Sequence, residues 1–221
     1  MNYIVDHIPR NTPHNRRPGT SMNPEYITIH STGNSSSTAR NERNWLTNPS
    51  NTRTASWHIV VDEKEAIEAI PLNEVAWHAG DGGSGTGNRK STGIEICESG
   101  DRQRTLQNTV KLVAKLLKER GWGADRLRRH YDWNKKICPR IFYDGGKWTA
   151  WEQFKQAVQK ELTGGGTVTP DKNQPSTWAK ESWEWGKKNG VTDGTRPKDA
   201  ITREEVITML YNYDQKVAKR K

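Results

Sequence analysis

The chain has 221 residues, 28% of them charged, and 35 Lys and Arg against 26 Asp and Glu leave a net charge of +9. Mean hydropathy is −1.01 and only 31% of residues are hydrophobic, so the core must be lean; no apolar run reaches the ~18 residues of a membrane span, which excludes a transmembrane helix. The basic balance calls for an anionic partner, and ten tryptophans, whose indole faces stack on sugar rings as readily as on bases, make an anionic glycan as good a candidate as nucleic acid.

In chain order, the opening residues Met1 to His7 lack the basic and apolar regions of a signal peptide. The expectation is a chain made in the cytoplasm that needs a separate partner to reach any other compartment. His7 and His14 fall in an irregular, proline-rich start and are expected at the surface. Residues 26–30 alternate, with Ile27 and Ile29 on one face and Tyr26, Thr28 and His30 on the other, the pattern of a strand. A short helix is predicted over 38–46, burying Trp45 and Leu46. Residues 57–61, 66–70 and 93–97 are further β-rich runs. Between them, residues 80–87 read as a mobile glycine-rich loop; they lack the Gly-Lys-Ser/Thr ending of a phosphate loop. Leu106, Val110, Val113 and Leu117 carry helical spacing, stopped by Gly121. A last helix over 149–162 has Trp151, Phe154, Val158 and Leu162 as its apolar stripe. Strands interspersed with helices make residues 1–162 a single α/β or α+β domain.

Residues 163–175 hold three consecutive glycines, polar residues and two prolines, the composition of a flexible linker. Beyond it, residues 176–221 read as two helices. One spans about 177–189 and stops at Gly190. The other begins at Thr202, where Thr202-Arg203-Glu204-Glu205 forms a capping box and Val206, Met209, Leu210 and Tyr213 form a buried stripe. So short a module has a thin core and is expected to lean on a partner or on itself.

The two cysteines, Cys97 and Cys138, are too few for a disulfide framework. His30 ends a strand, His130 lies in a loop, and Cys138 follows eight residues later. Two imidazoles and a thiolate are three zinc ligands, and three protein ligands leave the fourth tetrahedral position open, as in a catalytic rather than a structural site. Six histidines also allow accidental triples, so this constellation by itself is open to the plainer reading of packed or surface side chains.

Five ordered segments sharpen the choice: Ile27-Thr28-Ile29-His30-Ser31-Thr32-Gly33, Ala55-Ser56-Trp57-His58-Ile59-Val60-Val61-Asp62, Val75-Ala76-Trp77-His78-Ala79-Gly80, Thr92-Gly93-Ile94-Glu95-Ile96-Cys97 and Lys136-Ile137-Cys138-Pro139-Arg140. Over residues 20–160 they resemble the type-2 N-acetylmuramoyl-L-alanine amidases, above all the endolysins of phages that infect Gram-positive bacteria. The resemblance implies a mixed central β-sheet flanked by helices and one Zn²⁺ in an open groove. It implies cleavage of the amide between N-acetylmuramic acid and L-alanine in peptidoglycan. It also implies His30, His130 and Cys138 as ligands, Glu95 as the carboxylate that handles the proton of the attacking water, and Lys136 as the cation that steadies the oxyanion. His78, with Trp77, is expected to line the groove, and His58 to pack, because a fourth protein ligand would block the open position. Glu95 has a plainer reading as a strand-edge carboxylate, with Glu98 of opposite parity as its control; Cys97 reads as a small buried residue, and Arg126, Arg128 and Arg129 as a solvated face.

Trp178-Ala179-Lys180, Asn189-Gly190-Val191-Thr192-Asp193-Gly194 and Ile201-Thr202-Arg203-Glu204-Glu205-Val206 are similar to an S-layer homology motif. That resemblance implies binding to a secondary cell-wall polysaccharide, usually by three copies; with one copy here, self-association stands beside wall binding, and beside both a helical appendage that stabilises the enzyme. The rival readings of the whole chain are a host autolysin, a non-catalytic peptidoglycan-binding protein on the same fold, and a nucleic-acid binder motivated by charge alone. No helix-turn-helix or zinc-finger spacing supports the last, so no nucleic-acid partner is expected.

Overall fold

Short runs of β-branched residues assemble into one six-stranded sheet in the computed structural model: β1 (Asn2–Val5), β2 (Tyr26–Ser31), β3 (Ile59–Val61), β4 (Glu65–Glu68), β5 (Ser91–Ile96) and β6 (Leu127–Arg129), in the spatial order β1-β4-β3-β5-β2-β6. The β3–β4 pair is antiparallel and every other pairing is parallel. Helices are α1 (Ala39–Trp45), α2 (Thr86–Arg89), α3 (Arg102–Glu119), α4 (His130–Asn134), α5 (Thr149–Leu162), α6 (Lys180–Lys188) and α7 (Arg203–Lys216). The structure describes residues 1–164, 175, 179–197 and 201–218. Most of the expected linker, and the expected start of the first tail helix with Trp178, lie outside them. The chain divides into two units, Met1–Gly164 and Gly165–Lys221. No helix among the described residues is long and apolar enough to cross a membrane.

Strand parity sorts the first unit into two apolar layers. Ile27 and Ile29 of β2, Ile59 and Val61 of β3, and Ile94 and Ile96 of β5 face Leu112, Val113, Leu116 and Leu117 of α3 and Trp151, Phe154 and Val158 of α5. The opposite face is covered beside β3 and β4 by Ala39 and Leu46, with Ile8, Trp57, Ile70, Ala76 and Cys97. On β2 and β5 the same face carries Thr28, His30 and Glu95, opposite in parity to the isoleucines, with Trp133, His78 and His130 against Thr28 and His30. The expected mixed sheet flanked by helices is thus what forms, and Cys97 is a fully buried, unpaired packing residue.

Several details depart from the sequence expectations, the first being Trp45, which is exposed rather than buried. β1 forms in the start read as irregular, and half-buried His7 sits 2.8 Å from the Glu68 carboxylate rather than free at the surface. Two of the three arginines read as a solvated face, Arg128 and Arg129, belong to edge strand β6. Residues 80–87 run into α2 and are tied down, the Asp81 carboxylate accepting from the N–H groups of Gly87 and Asn88. In the second unit the capping box forms as read, Thr202 and Glu205 bonding each other's backbones. Its expected buried stripe does not: Val206, Leu210 and Tyr213 are exposed and Met209 only half-buried, because among the described residues of this unit no third layer covers that face.

The amino-terminal segment is stapled to the sheet unit by charge. Arg17 donates to both oxygens of Glu74, and Arg10 adds a third bond. Hydrogen bonds from Arg17 hold the Glu74 carboxyl below its ordinary value, against the opposing effect of burial. A carboxyl depressed in the folded state contributes stability above its unfolded value, near 4.3, and loses it as the pH falls through the folded one. Glu74→Ala, which strands the nearly buried Arg17 guanidinium, is expected to cost about 2–3 kcal/mol at neutral pH. Urea denaturation at neutral and acid pH checks it: the gap between wild type and variant narrows as the acid limb is descended.

Candidate metal centre and groove

The sheet register brings the sequence-distant candidates together. β2 and β5 are parallel neighbours with His30 directly opposite Glu95. β6 pairs with β2 on its other side, through Ile29 and Arg129, and ends one residue before His130. His130 therefore opens α4 instead of lying in a loop. That helix ends at Lys135 in a left-handed conformation (φ 67°), which turns the chain back toward Cys138. Tyr131 N–H donates to the Cys138 carbonyl and closes the return.

His30 Nδ1 lies 3.1 Å from His130 Nδ1 and 3.7 Å from Cys138 Sγ, and one donor atom from each residue falls within 4.8 Å of the others. Tetrahedral bonds of ~2.0–2.1 Å to nitrogen and ~2.3 Å to sulfur separate such donors by about 3.3–3.6 Å, so the set matches zinc in number and type, and the two separations from His30 Nδ1 lie close to that spacing. All three residues are buried. Burial holds His30 well below the usual imidazole range, helped by the neighbouring His78 and His130. Burial, then Lys136, brings His130 down to about 4. Both rings are therefore neutral at physiological pH, the form that binds metal.

Glu95 stands against the cluster, Oε1 4.0 Å from His30 Nδ1, while its Oε2 is buried with no hydrogen-bond partner. Burial, with Glu42 and Glu98 adding their charge, pushes its carboxyl up to about 8 although Lys136 opposes the shift. Glu98 is a different case: its carboxylate takes a forked pair of bonds from Arg140 and one from the Gly33 N–H, and these hold it low against burial. Lys136 is exposed and lines the same groove, about 740 Å³ in volume, as the three candidate ligands.

Around the cluster the groove is walled by Glu42 and Trp45 of α1, by Arg53, and by Trp77. Trp77 donates through Nε1 to the Asn15 carbonyl, leaving a half-buried indole in the wall. His78 borders the groove but is buried, its ring bonded on both sides. His58 packs, as expected: Nδ1 accepts from Gly93 N–H and Nε2 donates to the Glu74 carbonyl. Arg53 and Glu42 gave no signal in sequence, because neither sits in a motif and only the tertiary fold brings them to the groove.

Residues 20–141 match the family Amidase_2, N-acetylmuramoyl-L-alanine amidase. The chain belongs to this family. Over 212 residues this amidase-family chain is 39% identical to the N-acetylmuramoyl-L-alanine amidase CwlA of Bacillus subtilis (strain 168), covering 90% of this chain and 76% of that one. It is 48% identical over 149 residues to XlyB of the same organism, covering 66% of this chain but only 45% of XlyB, so it spans about half the length of that relative. Among solved structures, a mutant endolysin from Bacillus subtilis superposes with a TM-score of 0.64 at 40% identity, covering 72% of this chain and 99% of that one. The family match falls within the unit that carries the groove, and the CwlA match extends beyond it.

Proposed function

We propose that the chain is a zinc-dependent N-acetylmuramoyl-L-alanine amidase that hydrolyses the amide between the lactyl group of N-acetylmuramic acid and L-alanine. The observation that carries this reading is the convergence of His30, His130 and Cys138 on one point of the groove floor, beside a carboxylate oxygen with no partner. His30, His130 and Cys138 would hold the ion. When bound, zinc supplies Lewis acidity, polarising a carbonyl and acidifying a water. Glu95 accepts a proton in the groove and returns it to the departing amine, a role that suits a carboxyl raised toward neutrality. Lys136 contributes positive charge where an oxyanion develops. The aromatic and basic wall, Trp77 and Arg53 among it, binds and orients the glycopeptide. A non-catalytic peptidoglycan binder would have no use for a complete donor set. Digesting purified peptidoglycan with and without chelator, and identifying products by mass spectrometry, tests the proposal. New L-alanine amino termini that vanish on chelation support it, and undiminished cleavage without metal overturns the zinc assignment.

We further propose that the enzyme acts as an endolysin, reaching the wall from the cytoplasm with the help of a separate membrane-permeabilising partner, and that residues 176–221 are a wall-targeting module. The resemblance to endolysins supports the first. A cleft of about 600 Å³ between α6 and α7, bordered by Trp183, Arg196 and Glu205, supports the second as a place for a polysaccharide. Self-association of the module is the competing use of its exposed apolar face. Removing residues 165–221 is expected to leave hydrolysis of soluble muropeptides unchanged and to lower lysis of whole cells several-fold through lost effective concentration. Parallel rate measurements on the two substrates check this; equal retention on both overturns the targeting role.

A further inference from the structure

We infer that His78 is a positioning residue for His30, fixing the tautomer that presents Nδ1 to the metal, rather than a residue that touches substrate. The chain of bonds ends on a backbone carbonyl. His78 Nε2 lies 3.0 Å from the Ser91 carbonyl oxygen, which can only accept, so that nitrogen carries the proton. The ring is buried and its nitrogens meet a carbonyl oxygen and another imidazole, no carboxylate among them, so it is neutral and carries a single N–H. Its Nδ1 is therefore an acceptor, and the nitrogen 3.0 Å away, His30 Nε2, must donate. A neutral His30 protonated at Nε2 has its lone pair at Nδ1, the atom that faces His130 and Cys138.

The surroundings are built to keep this arrangement. The N–H groups of His78 and Ala79 both donate to Asn88 Oδ1, at 2.9 and 2.8 Å, and Asn88 is itself held by Asp81 and the Gly82 carbonyl. On β5, Gly93 leaves the space that the ring fills: a Cβ there would stand 2.6 Å from His78 Cγ. Behind it His58 packs edge-on at 5.6 Å, with both its own nitrogens engaged. With both ring nitrogens bonded, His78 has none to offer to a sugar or a peptide, and none to serve as a fourth ligand.

Outer partners of this kind typically change metal affinity by 10–100-fold. The inference rests on the zinc reading for its consequence, but the tautomer can be observed without metal. Heteronuclear NMR of the imidazole nitrogens in the full, metal-free chain is expected to show His30 protonated at Nε2, and His30 protonated at Nδ1 overturns the inference whether or not zinc binds. In competition with a chromogenic chelator, His78→Leu is expected to bind zinc 10–100-fold more weakly than wild type. His78→Asn, whose amide oxygen falls near the position of Nδ1, is expected to recover most of that loss. A leucine variant that binds zinc as tightly as wild type refutes the positioning role; a wild type that binds no zinc refutes the zinc reading and leaves the NMR result to judge His78.

Discussion

Cys138→Ser is expected to weaken zinc binding by at least ~10²-fold and to abolish hydrolysis at limiting metal. The buried sulfur is 3.7 Å from His30 Nδ1, and burial, reinforced by the Glu95 charge, pushes the thiol up to about 12. Lys136 and a Ser31 backbone bond pull the other way without overcoming this. Without a cation the thiol keeps its proton, so metal uptake must expel it and affinity rises with pH. A serine hydroxyl holds its proton far more tightly and offers a harder, weaker donor. The return of the chain from α4 uses the backbone carbonyl of residue 138, so the substitution leaves the local fold in place. Chelator competition across pH, with turbidity clearance of sacculi alongside, measures both effects. A serine variant with wild-type affinity removes the sulfur from the ligand set.

Legibility from sequence followed burial. β2 and β5 were readable because each has one face in the helical layer and the other on the groove, so alternation carries through, and that same parity places His30 and Glu95 side by side. β1 was not, because it is an edge strand whose Tyr3 and Val5 stay exposed. β6 was hidden by two arginines in three residues, yet it is the strand that delivers His130; chain order showed the ligand but not the element that aims it. The apolar spacing in α7 was real, but a period predicts a buried face only where something exists to bury it. His78 was visible as a histidine near the groove, whereas its role depends on the Ser91 carbonyl and the gap at Gly93, which only sheet packing brings within reach.

Glu95→Ala is expected to lower turnover roughly 10²–10⁴-fold while zinc affinity changes little. Two carboxylates three residues apart differ in every respect that matters to proton transfer. Glu98 is locked to Arg140 and the Gly33 N–H and held low, so it is already committed as a structural anion. Glu95 has one buried oxygen with no partner and a carboxyl pushed up to about 8, chiefly by burial. A divalent cation at the donor cluster would draw that value down toward neutrality, where a group accepts and releases a proton with the least thermodynamic penalty. Removing Glu98 should therefore act on stability, by loosening the bonds that join residue 33 and residue 140 to the end of β5, and leave the chemistry of the surviving folded enzyme near wild type. Removing Glu95 should relieve a buried, unpaired carboxyl and leave stability unchanged or raised, with the loss confined to kcat. Steady-state rates on a soluble muropeptide, zinc content and thermal melts of the two alanine variants separate these cases. If Glu95→Ala turns over at the wild-type rate, the proton must be carried by another group, and Glu42, in the same wall of the groove and itself raised by burial, is the next to substitute.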